Sequence, residues 1–479
     1  MSDTHYQSPL NTRYASPAML RLWGERHRIG LWRRIWLALA ETERELGVDI
    51  PTAALEQMRA HLDDADLEAA GAYERTLRHD VMAHVHAFGD QAPAARAVIH
   101  LGATSALVTD NADLLVMRDS LRLLLARLID SVERLAALAE RTKTLPCLGY
   151  THFQPAQLTT VGKRATLWTQ DLASDVEAIV HALSGWQLLG CKGATGTQAS
   201  FLELFKGDHA KVRELDRRLT AKLGVERSVP VSGQTYSRKT DARILDLLSG
   251  VAQSAAKLAT DLRLLQHEGE LLEPFESKQV GSSAMAYKRN PMRAERVCSL
   301  ARFVIATAAN PDYTAATQWL ERTLDDSANR RLTLPEAFLA TDAILLLVSD
   351  IVGGLEVVEP VIAQHVAEQM PQMATERWLM LGVAAGGDRQ VLHETIRRLS
   401  QASAAQVRTG KPNDLLERMA ADHTFAKVPA ASLKAELDPT RYTGRAAQQV
   451  DEFLTDYLRP MLKRVRPMAA AAEAAEVLV

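Results

Sequence analysis

Cysteine is scarce in this chain: 479 residues hold three, Cys147, Cys191 and Cys298. An odd number, wide separation and no C-x-x-C pair argue against a disulfide framework or a structural zinc site, and they suit a reducing cytoplasm. An excess of one charge is missing too. The formal net charge is −3, so no overall field recommends nucleic acid or a membrane as partner, and local basic clusters matter more. No run of about 18 apolar residues offers a membrane span. Met1-Ser2-Asp3-Thr4-His5 lacks the charged-then-apolar order of a secretory signal, so a soluble protein is expected. Lys192-Gly193-Ala194-Thr195-Gly196-Thr197 is rich in glycine but lacks G-x-x-x-x-G-K-[ST], and no G-x-G-x-x-G follows a strand. P-loop and Rossmann readings fail on that ground.

Period-two alternation is nearly absent as well. Apolar residues recur at helical spacing instead, so the fold class read from the sequence is all-α, and the length allows roughly two to four domains. An early segment over residues 19–46 carries Trp23, Leu31, Ile35, Leu37 and Leu46, and another lies near 51–62. Before them, Asn11-Thr12-Arg13-Tyr14-Ala15-Ser16-Pro17 reads as an extended, polar lead-in, with Arg13 and Tyr14 either surface residues or a phosphate clamp. Residues 78–86 read as a helix with three histidines whose spacing matches no zinc arrangement, which leaves His84 and His86 as packing residues. His100-Leu101-Gly102-Ala103-Thr104-Ser105 reads as a turn before a new helix, and Asp110 with Asp113 as its N-cap.

Four or five very long helices follow. Leu121, Leu124, Leu128, Val132, Leu135 and Leu138 trace one face; Leu167, Leu172, Val176, Ile179, Leu183 and Trp186 trace another. A third helix, over about 241–272, mixes leucine with Ser249-Gly250 and Ser254-Ala255-Ala256, and a long apolar one lies near 337–348. Helices of this length are hard to satisfy within one compact monomer, so an obligate homo-oligomer is expected. Polar connections separate them: Tyr150-Thr151-His152-Phe153-Gln154-Pro155-Ala156-Gln157, Ser232-Gly233-Gln234-Thr235, and an arginine-bearing turn over 321–331. A smaller helical unit starts around 361–375, and 469–479 reads as a frayed tail.

The rest of the chain is organised around Gly281-Ser282-Ser283-Ala284-Met285-Ala286-Tyr287-Lys288-Arg289-Asn290-Pro291. Its first half suits a mobile loop. Its second half reads as a helix start with Asn290 at the N-cap and Pro291 at the first helical position, and Lys288, Arg289, Arg293 and Arg296 cluster where a helix N-terminus already favours anions. An acidic ligand is the expectation. Removing a proton beside a carboxylate needs a base and stabilisation of a dianion, while a departing nitrogen needs an acid. His152 is the candidate acid, since histidine titrates near neutrality. Glu295, on the helix that follows the loop, could accept a hydrogen bond from one imidazole nitrogen and set its tautomer. A serine base requires a loop that closes over substrate, excludes water and surrounds the hydroxyl with donors, which Lys288 and the glycine-serine backbone can provide. Arg13, Arg78, Arg296, Arg322 and Arg331 suit contact with carboxylates or phosphate.

That stretch resembles the Gly-Ser-Ser-x-x-Pro-x-Lys-x-Asn-Pro signature of the fumarase/aspartase superfamily, departing from it at Ala286, where the family usually has proline. Proline there would narrow the loop's ensemble of open conformations. Further motifs in the same order extend the resemblance over essentially the whole chain: Ser16-Pro17, Arg78-His79-Asp80-Val81-Met82-Ala83-His84, Leu101-Gly102-Ala103-Thr104-Ser105, Thr151-His152-Phe153-Gln154-Pro155-Ala156-Gln157 and Asp325-Asp326-Ser327-Ala328-Asn329-Arg330-Arg331. Within the superfamily the chain is most similar to the adenylosuccinate lyase family, in its long, animal-like form.

The resemblance implies an all-α fold of three domains, drawn here at 1–110, 111–364 and 365–479, with the mobile loop at about 276–291. It implies a homotetramer with a long central bundle and active sites assembled from three subunits, and neither a metal nor an organic cofactor. It implies release of fumarate from adenylosuccinate and from SAICAR. Position by position, His152 falls at the general acid and Ser282 at the general base, with Ser283 left open as an alternative; Lys288, Glu295 and His79 join the catalytic group. Arg13, Tyr14, Arg296, Ser327 and Arg331 fall where the family holds the nucleotide. Thr104, Ser105, Thr151, Gln234 and Asn290 lie near the succinyl carboxylates, and Arg78, Asp80 and Arg322 also line the site. The alternatives are another fumarate-releasing lyase, such as one acting on argininosuccinate, and a non-catalytic helical scaffold. Tyr287-Lys288-Arg289-Asn290 and Arg13-Tyr14 favour the nucleotide, and the joint presence of His152, Ser282, Lys288 and Glu295 argues against a scaffold.

Overall fold

In the computed structural model, which describes residues 4–470, a turn of π-helix at Leu10–Tyr14 leads into α1, Pro17–Leu22, where the Ser16 hydroxyl accepts the Met19 N–H. The lead-in is therefore helical before it extends at Ala15, because Leu10 and Ala15 are drawn into the core. Next come α2, Glu25–Glu45; α3, Thr52–Ala60; α4, Leu67–Leu77; and α5, Asp80–Gln91. Residues 78–86 are not one helix: Arg78 ends α4 at φ 56°, and His79 caps α5. His84 is buried edge-on against Trp32, whereas His86 is exposed and stacks on Tyr73.

The expected long helices are present: α6, Ser105–Thr142; α7, Val161–Ser184; α10, Lys239–His267; α11, Met292–Ala308; and α13, Asp325–Gly353. Between them lie α8, Ala199–Leu204; α9, His209–Lys222; and α12, Asn310–Ala316. All six leucine and valine positions read for α6 are buried. Each such side chain removed from water stabilises the bundle by about 1.5–3 kcal/mol before entropy is counted. In α7 the reading is right for Leu172, Val176 and Ile179 but not for Leu167, which is 49 % exposed. The five long helices pack together around one core. α13 is apolar enough to cross a membrane by length and composition, yet 78 % of its most apolar window is buried in the fold. Asp110 and Asp113 lie inside α6 and do not cap it.

The polar connection after α6 is a hairpin, β1 at Pro146–Thr151 and β2 at Gln154–Thr160, paired antiparallel with Thr151 opposite Gln154. Most of β2 is exposed, so no alternation marked it. A two-residue pair, β3 at Leu271–Leu272 and β4 at Glu356–Val357, closes the base of the signature loop. A second core joins α2, α3 and α5 to Phe201, Val212, Leu215 and Leu219 of α8 and α9. A third, smaller core gathers Trp378, Leu392, Met419 and Phe425. Beyond Ala470 the tail read as frayed lies outside the described residues.

Candidate active site

A cleft of about 1080 Å³ opens where the Arg78–His79 turn, the first turns of α6, the 234–238 segment and the start of α13 converge. The Arg78 backbone takes a left-handed conformation, φ 56°, so that α4 stops and α5 starts within two residues. His79 Nδ1 accepts the Met82 N–H at 3.3 Å, which leaves the proton on Nε2 to donate to the Ser105 hydroxyl at 3.4 Å. Next to it, Asp80 accepts the Val81 N–H at 2.7 Å and Arg331 at 2.9 Å. Burial pushes the Asp80 carboxyl up, but those two donors and the His79 ring outweigh it, and the net direction is down. Deeper in, Trp36 donates to His100 Nδ1 at 2.9 Å, and burial lowers the His100 ring to about 4, so it stays neutral.

Thr104 stands at the N-cap of α6 without bonding the helix through its side chain. The start of a 38-residue helix lines the cleft through Thr104, Ser105 and Ala106 and brings two hydroxyls with it, a setting that favours anions. Gln234 is held by its N–H to the Glu321 carbonyl at 3.0 Å. The glycine-rich turn is no phosphate cradle: Gly196 lies against the Ser232 carbonyl so closely that any Cβ would collide, and Lys192 is buried on Asp216 at 2.9 Å. Arg322, Ser327 and Arg331 complete the wall from the α13 side.

Beneath this wall lies a charge network that the motifs did not reveal. Arg238 bonds Asp326 at 2.6 Å and Asp110 at 3.0 Å, all three almost fully buried. Arg330 meets Asp241 at 2.6 Å and Asp113 at 3.1 Å, and donates to the Tyr236 hydroxyl, which itself donates to Asp241 at 2.6 Å. Arg322 approaches the same Asp326 at 4.0 Å. The network ties α6, the Gln234 segment and α13 into one rigid floor. Its only sequence signal was four aspartates and two arginines in or beside helices, a pattern that ordinary surface helices share.

The remaining candidates lie elsewhere on the chain. Thr151 and His152 sit at the tip of the β1–β2 hairpin, where His152 and Phe153 both have positive φ, 52° and 57°. Two such residues match the twist of a hairpin but are costly without glycine or asparagine, and Phe153 is 48 % exposed. Arg13 is exposed beside Tyr14, over whose ring the Arg296 guanidinium lies at 5.8 Å. Ser282, Lys288 and Asn290 occupy the signature loop, and Glu295 is exposed on α11. None of these lines the cleft of its own chain, and among the described residues no hydrogen bond joins Glu295 to His152. Asn290 does not cap α11. Its side-chain amide donates to the Gly281 carbonyl at 2.7 Å, while Glu273 takes the cap role, accepting the Arg293 and Ala294 N–H groups at 3.1 and 3.0 Å. That helix end is already neutralised by a carboxylate and is not the anion site expected there.

Known proteins with this sequence pattern decide the family. The family described as "Lyase" matches residues 20–306, and the one described as "Adenylosuccinate lyase C-terminus" matches 371–453. The adenylosuccinate lyase of Saccharomyces cerevisiae is 50 % identical over 454 residues, 94 % of each chain, and that of Schizosaccharomyces pombe is 48 % identical over 453 residues, again 94 % of each. The chain belongs to the adenylosuccinate lyase family. A solved structure of similar fold, the 3-carboxy-cis,cis-muconate lactonizing enzyme of Pseudomonas putida, superposes with a TM-score of 0.80 at 22 % identity, covering 96 % of this chain and 99 % of that one. Among adenylosuccinate lyase candidates, then, nine of the residues proposed from sequence meet in one cleft: Arg78, His79, Asp80, Thr104, Ser105, Gln234, Arg322, Ser327 and Arg331.

Proposed function

We propose that this chain cleaves the carbon–nitrogen bond of adenylosuccinate, giving AMP and fumarate, and that of SAICAR, giving AICAR and fumarate, in purine nucleotide biosynthesis. The observation that carries this reading is the cleft itself: three arginines, Arg78, Arg322 and Arg331, face the hydroxyls of Thr104, Ser105 and Ser327 and an uncapped helix N-terminus, a surface made for several anionic groups at once. Adenylosuccinate and SAICAR each bring two succinyl carboxylates and a phosphate.

The elimination is redox-neutral. A base removes a proton from the succinyl carbon next to the one that bears nitrogen, the carbon pair forms the double bond of fumarate, and the C–N electrons leave with nitrogen, which takes a proton from an acid. Ser282 is the base. Its Oγ accepts the Met285 N–H at 3.1 Å and the Ala284 N–H at 3.4 Å, donors that favour the deprotonated hydroxyl. Among the described residues Ser283 has no such partner, which favours the first serine of the pair. His152 is the acid, and Lys288 offsets the negative charge that builds on the succinyl group.

His152 and Ser282 must reach a cleft that neither lines, so the active form is a homotetramer whose sites are completed between subunits. Exposed apolar side chains in the α12–α13 connection, Trp319 at 73 % and Leu320 at 97 %, support an interface there. Three free, buried cysteines suit the cytoplasm. The test is fumarate release from adenylosuccinate, SAICAR and argininosuccinate offered separately. Release from the first two supports the reading; release from argininosuccinate alone overturns it.

A further inference from the structure

The signature loop leaves the body of the protein through two feet. The first runs from Glu273 to Glu276 after β3; the second runs from Arg289 into α11. A single side chain bridges them. Gln266, in the last turn of α10, accepts the Glu273 N–H at 3.0 Å through Oε1 and donates to the Arg289 carbonyl at 3.2 Å through Nε2. Only one orientation of the amide satisfies both partners, so the group reads the positions of the two feet together.

A second bridge lies on the other side. Arg293, in the first turn of α11, donates to the Pro274 carbonyl at 3.0 Å and to Glu276 at 2.8 Å, and pairs with Asp350 of α13 at 3.1 Å. Its own N–H is bound by Glu273. The Arg289 guanidinium, in turn, lies 4.8 Å over the Phe275 ring and 3.7 Å from Glu356. At the neck, Gly281 lies so close to the Lys288 carbonyl that any Cβ would collide with it. Beyond the neck the pattern changes. Among the described residues, the hydrogen bonds of 282–288 stay within that segment: Ala284 and Met285 N–H to Ser282 Oγ, Lys288 N–H to the Met285 carbonyl at 3.0 Å, and the Tyr287 hydroxyl to Met285 sulfur at 3.7 Å.

From this contrast we infer that Gln266 and Arg293 are positioning residues for the elimination: they clamp the feet, so that the tip carrying Ser282 and Lys288 swings as one small unit about a fixed neck. A base delivered by a flap must arrive within a few tenths of an ångström on every closure, and a loop with loose feet spreads that arrival over many poses. Neither residue lines the cleft, so neither touches substrate there. The inference rests on the reading that the loop supplies the base.

The experiment uses the full-length enzyme with adenylosuccinate. Gln266→Met keeps the volume and removes both amide bonds; Arg293→Lys keeps the charge toward Asp350 but cannot reach Pro274 and Glu276 together. The expected result is a kcat lower by roughly 10- to 100-fold, KM close to wild type, an unchanged melting temperature, and faster tryptic cleavage of the native enzyme at Lys278, Lys288 and Arg289. Wild-type kcat and cleavage in both variants overturns the clamp, and so does a kcat loss that only tracks a lowered melting temperature. Ser282→Ala separates the two failures. An inactive Ser282→Ala beside normal clamp variants sinks the clamp alone, whereas a fully active Ser282→Ala sinks the reading beneath it.

Discussion

Arg238 and Asp326 meet at 2.6 Å under the cleft, with water excluded from both side chains. Each is also committed elsewhere, Arg238 to Asp110 and Asp326 to the approach of Arg322. Removing one member strands the others in a low-dielectric interior. Arg238→Met is expected to destabilise the fold by about 3–5 kcal/mol, seen as a lower denaturant midpoint. Arg322→Met, whose contact with Asp326 is long and partly solvated, should leave stability close to wild type and raise KM instead. Equal midpoints for Arg238→Met and wild type would refute a structural role for the network.

Asp80 holds Arg331 from across the cleft at 2.9 Å. Its carboxyl is held below the usual range, so the pair is present above the ordinary carboxylate pKa and is lost as pH falls through the lowered value. Asp80→Asn keeps the shape but removes the charge that orients the guanidinium. KM for adenylosuccinate should rise about tenfold with kcat less affected, the mark of lost binding common to ground and transition states. A kcat effect with constant KM would instead place Asp80 in the chemistry.

Glu43 is buried in α2, and neither of its carboxylate oxygens has a hydrogen-bond partner among the described residues. Burial lifts its pKa from 4.5 to about 9. Between those values the folded chain keeps a proton that the unfolded chain has lost, so this group's contribution falls as pH rises through that window and levels off above it, by at most about 1.4 kcal/mol per pH unit. Glu43→Gln, neutral at every pH, should match wild type near pH 5 and melt at a progressively higher temperature than wild type toward pH 9. A constant gap across that range would remove the buried acid from the account.

Sequence legibility followed how local the cause was. The leucine face of α6 was readable because its six positions repeat at helical spacing and point into one bundle. Most of the cleft was readable because the Arg78–Asp80, Thr104–Ser105 and Arg322–Arg331 residues sit in short distinctive strings. What escaped depends on distant partners. Asp110 mimics a capping residue until Arg238, 128 positions away, is seen to bind it. Asn290 stands where an N-cap belongs, yet Glu273, 20 positions before Arg293, occupies that role. The hairpin escaped because its outer strand is exposed on most positions. Leu167 fits the apolar face of α7 by spacing, but a single chain leaves 49 % of it exposed.

The central claim is that His152 and Ser282 act on one substrate from different subunits, and mixing inactive enzymes tests it most directly. His152→Ala and Ser282→Ala should each lower kcat by roughly 10²–10⁴ while remaining assembled. Unfolded together in equal amounts and refolded, hybrid oligomers should recover about a quarter of wild-type turnover, since half the sites draw an intact histidine and half of those an intact serine. If the two residues served a site from the same chain, no hybrid site would be whole, and the mixture would stay as inactive as its parents.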